Sequence, residues 1–171
     1  MGSPRGEDGR PRSATRWTLL FAVAFLVIVV DQMTKEVVRS NLHPGEAAHV
    51  IGLTLKHLQN PGIAGGGFAG DAAPLSLIAT AAVLAILGFL SWARATGPVV
   101  LVGFGLLIGG GLGNLVDRLR MGYVTDFILR EDRAFNVADV AIMLGGFTVL
   151  AGLVLLLPEV RAQAQPTRSG G

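Results

Sequence analysis

The sequence predicts an all-α membrane protein with four transmembrane helices and a small extracytoplasmic, β-containing loop region between helices 1 and 2. Three observations lead to this fold class: 51% of the 171 residues are hydrophobic, only 15% are charged, and the mean hydropathy is +0.56. A soluble domain usually carries about 25% charged residues. The composition therefore argues against a soluble enzyme, a nucleic-acid-binding protein and a disordered protein. The absence of cysteine removes disulfides and thiolate chemistry.

Four stretches of the chain are long and apolar enough to cross a bilayer, which takes about 20 residues as a helix. The predicted spans cover residues 17–37, 73–92, 98–116 and 135–157. The second span carries no charge, and the glycines in the third are typical of close helix packing in lipid. We expect the fourth span to end at Pro158, because proline breaks the hydrogen-bond pattern of a helix.

The two ends of the chain are polar and predict tails outside the membrane. Residues 1–15 and 159–171 are rich in Gly, Pro, Ser and Arg, and we expect both to be disordered. Residues 16–158 then form the membrane domain. The basic residues are evenly divided between the two membrane faces, so the positive-inside rule decides only through the flank of the first span, where four arginines before Trp17 favour tails in the cytoplasm.

The first outer loop, about residues 38–72, is the longest connection between the predicted spans. Its segment 49–58 alternates loosely and contains Val, Ile and Thr, which predicts a short strand. The run Asn60-Pro61-Gly62 that follows is a turn signal. This loop is therefore the β-containing part of the predicted fold.

Four aspartates lie inside the predicted spans or at their edges, where an ionisable group is costly and marks a candidate functional site. They are Asp31, Asp117, Asp126 and Asp139. The ends of odd-numbered spans and the starts of even-numbered spans share one membrane face. We therefore expect all four acids to meet at the outer interface, opposite the tails.

Polar neighbours accompany these acids. Asn114 and Arg118 lie within one helical turn of Asp117, and Asn136 is three residues from Asp139. Two carboxylates that share a site cannot both ionise cheaply, so one can keep a proton while the other takes a proton from water. This chemistry suits hydrolysis of an amide bond without a covalent intermediate.

The residue pattern alone leaves other interpretations of the acids open. They are equally compatible with ion pairs to Lys35, Arg118 or Arg120 at the interface. A small transporter or proton-relay protein would use the same clustered aspartates, and a membrane scaffold would need only the glycine-rich third span. The histidines lack a zinc-binding pattern and no serine lies in a G-x-S-x-G turn. Aspartate is therefore the only plausible catalytic group if the protein is an enzyme.

Four short motifs follow one another along the chain, each beside an end of a predicted span. They are Asp31-Gln32-Met33-Thr34-Lys35, Gly113-Asn114-Leu115-Val116-Asp117-Arg118, Val124-Thr125-Asp126-Phe127 and Phe135-Asn136-Val137-Ala138-Asp139. In these motifs the chain resembles the bacterial lipoprotein signal peptidases (type II signal peptidases), whose patterns are D-Q-x-[ST]-K, G-N-x-x-D-R, V-x-D-F and F-N-x-A-D. The resemblance covers about residues 16–158.

This resemblance implies a four-helix aspartyl endopeptidase of the bacterial inner membrane with its active site toward the periplasmic face. Such an enzyme removes the signal peptide from a diacylglyceryl-modified prolipoprotein by cleaving just before the lipidated cysteine. By the resemblance, the catalytic residues are Asp126 and Asp139. The supporting and substrate-binding residues are Asp31, Lys35, Asn60, Gly62, Asn114, Asp117, Arg118 and Asn136.

The resemblance also implies the ligands. No metal or cofactor is expected, and membrane lipids and globomycin-type cyclic lipopeptide inhibitors are expected to bind beside the prolipoprotein substrate. We expect a monomer that binds no nucleic acid.

Two segments depart from the family's pattern. The family motif N-x-G-A-A-F is represented by Asn60-Pro61-Gly62-Ile63-Ala64-Gly65, which differs from it at positions 63 and 65. Only the 12 residues 127–138 separate the two predicted catalytic aspartates. We therefore expect a reduced flap over the site.

Overall fold

The structure of the protein is a computed structural model, which describes residues 13–50, 52–62, 97–131 and 133–164. It also describes positions 78, 81–83, 85–87 and 89 of the second predicted span, and the side chains of the last helix as far as Val154. In chain order the helices and strands are α1 (Ser13–Asn41), β1 (Ala47–Val50), β2 (Leu53–Asn60), α2 (Pro98–Met121), β3 (Val124–Arg130), β4 (Arg133–Phe135) and α3 (Val137–Ala164).

Three helices among the described residues are long and apolar enough to cross a membrane. The candidate spans are Ala14–Asn41, Pro98–Met121 and Val137–Val154. The second predicted span, 73–92, lies largely outside the described residues. Its described positions are helical, and the ring centroid of Phe89 is 6.0 Å from that of Phe104 in α2.

Helix α2 lies between α1 and α3 and packs closely against both. A Cβ atom added at Gly105 would lie 2.8 Å from Cβ of Val23 in α1. One added at Gly103 would lie 2.7 Å from Cγ2 of Val149 in α3. Since real Cβ atoms do not approach other carbons this closely, the glycines permit the observed helix spacing. The core beside α2 is made of Leu20, Ala24, Val100, Leu101, Phe104 and Ile108.

The four strands form one antiparallel sheet in the order β1-β2-β3-β4. Strand β3 follows α2 after a short turn at Gly122, whose φ of 78° is in the left-handed region that glycine tolerates. The pairing of β2 with β3 sets Asn60 opposite Val124 and Leu58 opposite Asp126. The side chains of Asn60 and Asp126 are therefore diagonal neighbours on one face of the sheet.

The predicted β structure in the loop after the first span is confirmed, but the sheet is larger than predicted. That loop forms the hairpin of β1 and β2, but β3 and β4 come from the connection between α2 and α3. The segment Val124–Arg130 is rich in β-branched and aromatic residues and completes its ladder by pairing with β2, which is distant in sequence.

The boundaries of the last helix also differ from the prediction. Helix α3 begins at Val137 instead of residue 135, because Arg133–Phe135 pairs with β3. It continues past Pro158 to Ala164, so the predicted end at this proline is wrong. A proline removes one backbone donor, and the Glu, Arg, Ala and Gln residues that follow it favour helix. Helices thus extend into both predicted tails, since α1 already begins at Ser13.

Candidate active site

Lys35 is the centre of a fully buried charge cluster between α1 and α2. Its Nζ lies 2.8 Å from Oδ2 of Asp31, one turn earlier on α1, and 3.0 Å from Oδ2 of Asp117 on α2. The ammonium also donates to Oδ1 of Asn114 at 2.9 Å. All three of its protons therefore have an acceptor. Gln32 adds a neutral donor, with Nε2 3.0 Å from Oδ1 of Asp117.

The two carboxylates of this cluster also hold the backbone at two other elements. Oδ1 of Asp31 accepts the N–H of Ala138 at 2.9 Å, and Oδ2 of Asp117 accepts the N–H of Thr125 at 3.1 Å. Ala138 lies in the first turn of α3 and Thr125 in β3, and each is followed directly by an aspartate. The cluster thus ties together the two segments that carry the second pair of acids.

That second pair consists of Asp126 in β3 and Asp139 in α3, and Asn136 connects them. Oδ1 of Asn136 accepts the N–H of Asp139 at 2.9 Å, while Oδ2 of Asp139 accepts the N–H of Asn136 at 3.3 Å. This reciprocal arrangement is a capping box, which satisfies free N–H groups at a helix start. Nδ2 of Asn136 donates to Oδ1 of Asp126 at 2.7 Å. One asparagine therefore fixes both acids relative to the start of α3.

Each carboxylate oxygen of this pair accepts one N–H. Nδ2 of Asn60 donates to Oδ2 of Asp126 at 2.8 Å, and Nδ2 of Asn114 donates to Oδ1 of Asp139 at 2.9 Å. The other two oxygens take the bonds from Asn136. All of these donors are neutral amides, and the positive charges of Lys35 and Arg118 also act on the pair electrostatically.

The orientation of the three asparagine amides is fixed at their oxygen ends. Oδ1 of Asn114 faces the ammonium of Lys35, and Oδ1 of Asn60 accepts the N–H of Gly62 at 2.9 Å. Oδ1 of Asn136 likewise accepts a backbone N–H. Since an ammonium and a backbone N–H can only donate, each amide has to point its NH2 group toward the acids.

The second pair has an environment that favours a retained proton. Among the described residues, no lysine or arginine forms an ion pair with Asp126 or Asp139. Burial and, to a smaller extent, the charge of Asp139 raise the pKa of Asp126 to about 6, against the lowering effect of its hydrogen bonds from Asn60 and Asn136. One carboxyl of the pair can therefore be protonated near neutral pH while the other is ionised.

Arg118 holds the chain segment that follows β2. Its Nη2 donates to the carbonyl oxygen of Gly62 at 3.0 Å, and its Nη1 donates to the carbonyl oxygen of Asn114 at 3.4 Å. Gly62 is also bonded to Asn60, whose amide reaches the acid pair. The guanidinium thus fixes the turn predicted at residues 60–62 beside the second pair of acids.

All of the site residues predicted from the sequence lie in this one hydrogen-bonded network. They are Asp126, Asp139, Asp31, Lys35, Asn60, Gly62, Asn114, Asp117, Arg118 and Asn136. The structure also separates the two interpretations of the acids that the sequence left open. The first pair forms ion pairs with Lys35, and the partners of the second pair within the described part of the chain are amide N–H groups.

Sequence reasoning missed three members of the network. Gln32 belongs to the first motif, and its amide bonds both acids of the Lys35 cluster. Thr125 anchors β3 to α2 and, through its hydroxyl, to Arg39. The spacing of Arg39, four residues after Lys35, places it on the same face of α1 and was an available signal. Among the described residues, no three His, Asp or Glu side chains are arranged to hold a metal ion.

Comparison with known proteins identifies relatives over most of the chain. The family model described as signal peptidase (SPase) II matches residues 23–155. The lipoprotein signal peptidase of Moorella thermoacetica is 36% identical over 147 residues, which are 84% of this chain and 97% of that protein. The lipoprotein signal peptidase of Rhodococcus jostii is 32% identical over 170 residues, 94% of this chain and 82% of that protein.

Solved structures share the fold. A bacterial membrane enzyme solved by the in meso method superposes with a TM-score of 0.76 at 25% identity, covering 88% of this chain and 94% of that chain. A second bacterial membrane enzyme gives a TM-score of 0.71 at 27% identity, covering 78% and 91%. With a family model that spans most of the sequence and relatives above 30% identity over more than four-fifths of it, this chain belongs to the signal peptidase II family of aspartic-type membrane peptidases.

Proposed function

We propose that this protein removes the signal peptide of diacylglyceryl-modified prolipoproteins by cleaving just before the lipidated cysteine, and that Asp126 and Asp139 are its catalytic residues. The observation that carries the proposal is the pairing of these two acids through Asn136, with neutral amide donors on every carboxylate oxygen. The other two buried acids, Asp31 and Asp117, instead form ion pairs with Lys35.

In the proposed reaction the acid pair shares one proton. The ionised carboxylate takes a proton from a water molecule, whose oxygen attacks the carbonyl carbon of the residue before the cysteine. The protonated carboxyl donates its proton to the carbonyl oxygen. As the C–N bond breaks, the acid that took the water proton passes it to the leaving amide nitrogen, and the other carboxylate recovers a proton from a hydroxyl of the intermediate, so that the pair again holds one proton. The pKa of Asp126, raised to about 6 by burial, supports a proton on the pair near neutral pH.

The asparagines have two proposed tasks in this reaction. Asn60 and Asn136 donate to Asp126 and stabilise its ionised form, whereas burial disfavours it. Asn114 carries the influence of Lys35 to Asp139, because its oxygen accepts a hydrogen bond from the ammonium and its NH2 group donates to the carboxylate. Arg118 and Gly62 hold the segment beside the acids in a position to line a bound peptide.

The proposed location of the site suits an acylated peptide. Moving the acyl chains out of the bilayer is costly, since each buried CH2 contributes about 0.8 kcal/mol, so the enzyme has to act at the membrane boundary. We propose four spans, with 73–92 as the second, in the bacterial inner membrane, and polar tails in the cytoplasm. The acids then lie at the outer ends of the helices, toward the periplasm.

Further parts of the proposal concern ligands and assembly. Membrane lipids flank the spans, globomycin-type inhibitors compete with the prolipoprotein, and the enzyme works as a monomer. The transporter alternative needs polar groups along the depth of the bundle. The buried face of α2 is instead apolar or glycine along most of its length, and its polar members lie at the end that carries Asn114 and Asp117.

The test is cleavage of a diacylglyceryl-modified prolipoprotein by the purified protein in detergent or vesicles. Asp126→Asn and Asp139→Asn are each expected to abolish cleavage, whereas the elution profile and melting temperature of each variant should remain those of folded protein. Glu131→Gln, at an exposed turn outside the network, is the matched acid-to-amide control and should cleave at the wild-type rate. Cleavage retained by either aspartate variant would remove that residue from the catalytic pair.

A further inference from the structure

Arg39 on α1 makes contacts that the reaction proposed above does not use. Its Nη1 donates to Oγ1 of Thr125 at 3.1 Å, and its Nε and Nη2 lie 3.2 and 2.9 Å from Oε2 of Glu36. Nη1 is also 3.8 Å from Oδ1 of Asp117. Only 15% of the Arg39 side chain is exposed, and its guanidinium lies between α1 and β3.

Thr125 receives this bond at the position directly before Asp126. It is fully buried, its hydroxyl faces Arg39, and its backbone N–H faces Asp117. Because side chains alternate along a strand, Thr125 points toward α1 while Asp126 points to the opposite face, where Asn60 and Asn136 bind it. Two hydrogen bonds behind the strand therefore fix the backbone from which the acid projects.

We propose that Arg39 is a positioning residue for the peptidase reaction: by clamping Thr125 from α1, it sets where the carboxyl of Asp126 stands relative to that of Asp139. This inference rests on the proposed function of the two acids. It assigns a role to a residue outside the four sequence motifs, one that touches neither the acids of the second pair nor the asparagines that bind them.

The chemistry of the guanidinium suits this task. Its planar fork binds Glu36 with two nitrogens on one side while the remaining amino group faces Thr125. Glu36 is 69% exposed along its side chain and contributes orientation of the guanidinium more than stability. A lysine has a single ammonium and cannot hold both partners in the same geometry.

The variants that test the proposal are Arg39→Met and Thr125→Val, each of which removes the hydrogen bond between these two side chains. Each is expected to lower kcat about 10- to 100-fold with little change in KM, since a small misplacement of a catalytic group costs this much in rate. The double variant should lose no more than either single variant, because both remove the same contact. Arg39→Lys should recover part of the loss, and Glu36→Gln should stay within about threefold of wild type.

Melting temperature and elution in detergent establish that each variant is folded before its rate is compared. A kcat that stays at the wild-type value in Arg39→Met, or losses that multiply in the double variant, would overturn the assignment. Asp126→Asn in the same assay separates the two ideas: if it still cleaves, the proposed function fails. If it is inactive while Arg39→Met is fully active, only the positioning role fails.

Discussion

The Lys35 cluster and the Asp126–Asp139 pair lie side by side and contain two buried aspartates each. They differ in the groups that stabilise these carboxylates. In the cluster, one ammonium forms ion pairs with both carboxylates, the guanidinium of Arg39 lies 3.8 Å from Asp117, and each carboxylate also binds a backbone N–H. In the pair, the donors to the carboxylates among the described residues are side-chain amides and a backbone N–H. Burial raises the pKa of Asp126 to about 6, so the pair can hold a proton near neutral pH.

The ion-paired cluster holds the two acids of the pair in place through the backbone of the segments that carry them. The backbone N–H groups of the residues before Asp126 and Asp139 bind the carboxylates of Asp117 and Asp31. The ion-paired acids of the cluster therefore position the acids of the pair. Asn114 joins the two regions directly, through its oxygen to Lys35 and its NH2 group to Asp139. Variants in the cluster should therefore act first on stability, and variants in the pair first on chemistry.

The largest effect is expected from Lys35→Met, which leaves Asp31 buried without its ion-pair partner and leaves Asp117 with Arg39, at 3.8 Å, as its remaining cation among the described residues. Removing one partner of a buried ion pair costs about 3–5 kcal/mol of the free energy of unfolding. Thermal denaturation in detergent measures this loss. Lys56→Met on β2, a partly exposed lysine outside the network, is the matched control and should change stability by about 0.5 kcal/mol or less.

A triple variant sharpens this result. Replacing Asp31 and Asp117 with Asn in the Lys35→Met background removes every charge of the cluster together, and should recover part of the lost stability. If Lys35→Met melts at the wild-type temperature, the cluster is not the stabilising half of the comparison.

The next effect concerns pH and belongs to Asp126. Its pKa is raised from 3.8 to about 6 in the folded protein. As pH rises from about 4 to 6, the unfolded chain ionises this group first. Its contribution to the free energy of unfolding therefore falls by about 3 kcal/mol in this window and is constant above it. The favourable contribution is present in full only at the acidic end.

The measurement compares the melting temperature of wild type with that of Asp126→Asn at several pH values. Because the asparagine side chain does not titrate, the difference between the two proteins should shift in favour of the variant as pH rises from about 4 to 6 and then level off. Parallel pH dependence in the two proteins would show that burial of Asp126 does not raise its pKa, and would weaken the contrast with the ion-paired acids.

Much of the site could be predicted from the sequence because its residues sit at fixed positions in short motifs at helix ends. Asp31 and Lys35 are one helical turn apart, and Asn136 and Asp139 have the spacing of a capping box. Local spacing of this kind determines which side chains share a face. It also brings the four acids to one end of the helices.

The rest depends on contacts between segments far apart in the chain. The bond between Asn60 and Asp126 requires the register of β2 with β3, and no local pattern fixes a register across such a separation. Strand β4 has only three residues and gains its structure from pairing with β3. The division of the acids into two kinds required the position of the Lys35 ammonium relative to Asp117, Asp126 and Asp139, which are all distant from it in the sequence.

A third prediction tests the packing that joins the two regions. Gly110 of α2 lies against the first turn of α3, where an added Cβ would overlap the carbonyl oxygen of Ala138. Gly110→Ala should push α3 away from α2, cost about 1–3 kcal/mol of stability and lower the cleavage rate about 100-fold through misplacement of Asp139.

Gly111→Ala is the matched control, because its Cβ would lie 3.8 Å from Cγ2 of Val83, an ordinary contact. It should keep both stability and rate. Equal losses in the two variants would mean that helix propensity or general packing, and not the approach of α3 to α2, governs the activity of Gly110→Ala.

The smallest change in stability, and the sharpest separation of roles, is expected from Asn136→Ser. Serine remains a good N-cap for Asp139, so the free energy of unfolding should change by about 1 kcal/mol or less. It has no NH2 group for Oδ1 of Asp126, which therefore loses a donor that stabilises its ionised form. The cleavage rate should fall about 10- to 100-fold, whereas Asn41→Ser at the exposed end of α1 should be neutral. An Asn136→Ser variant with a lowered melting temperature and the wild-type cleavage rate would contradict this role. The amide of Asn136 would then stabilise the start of α3 without affecting the reactivity of Asp126.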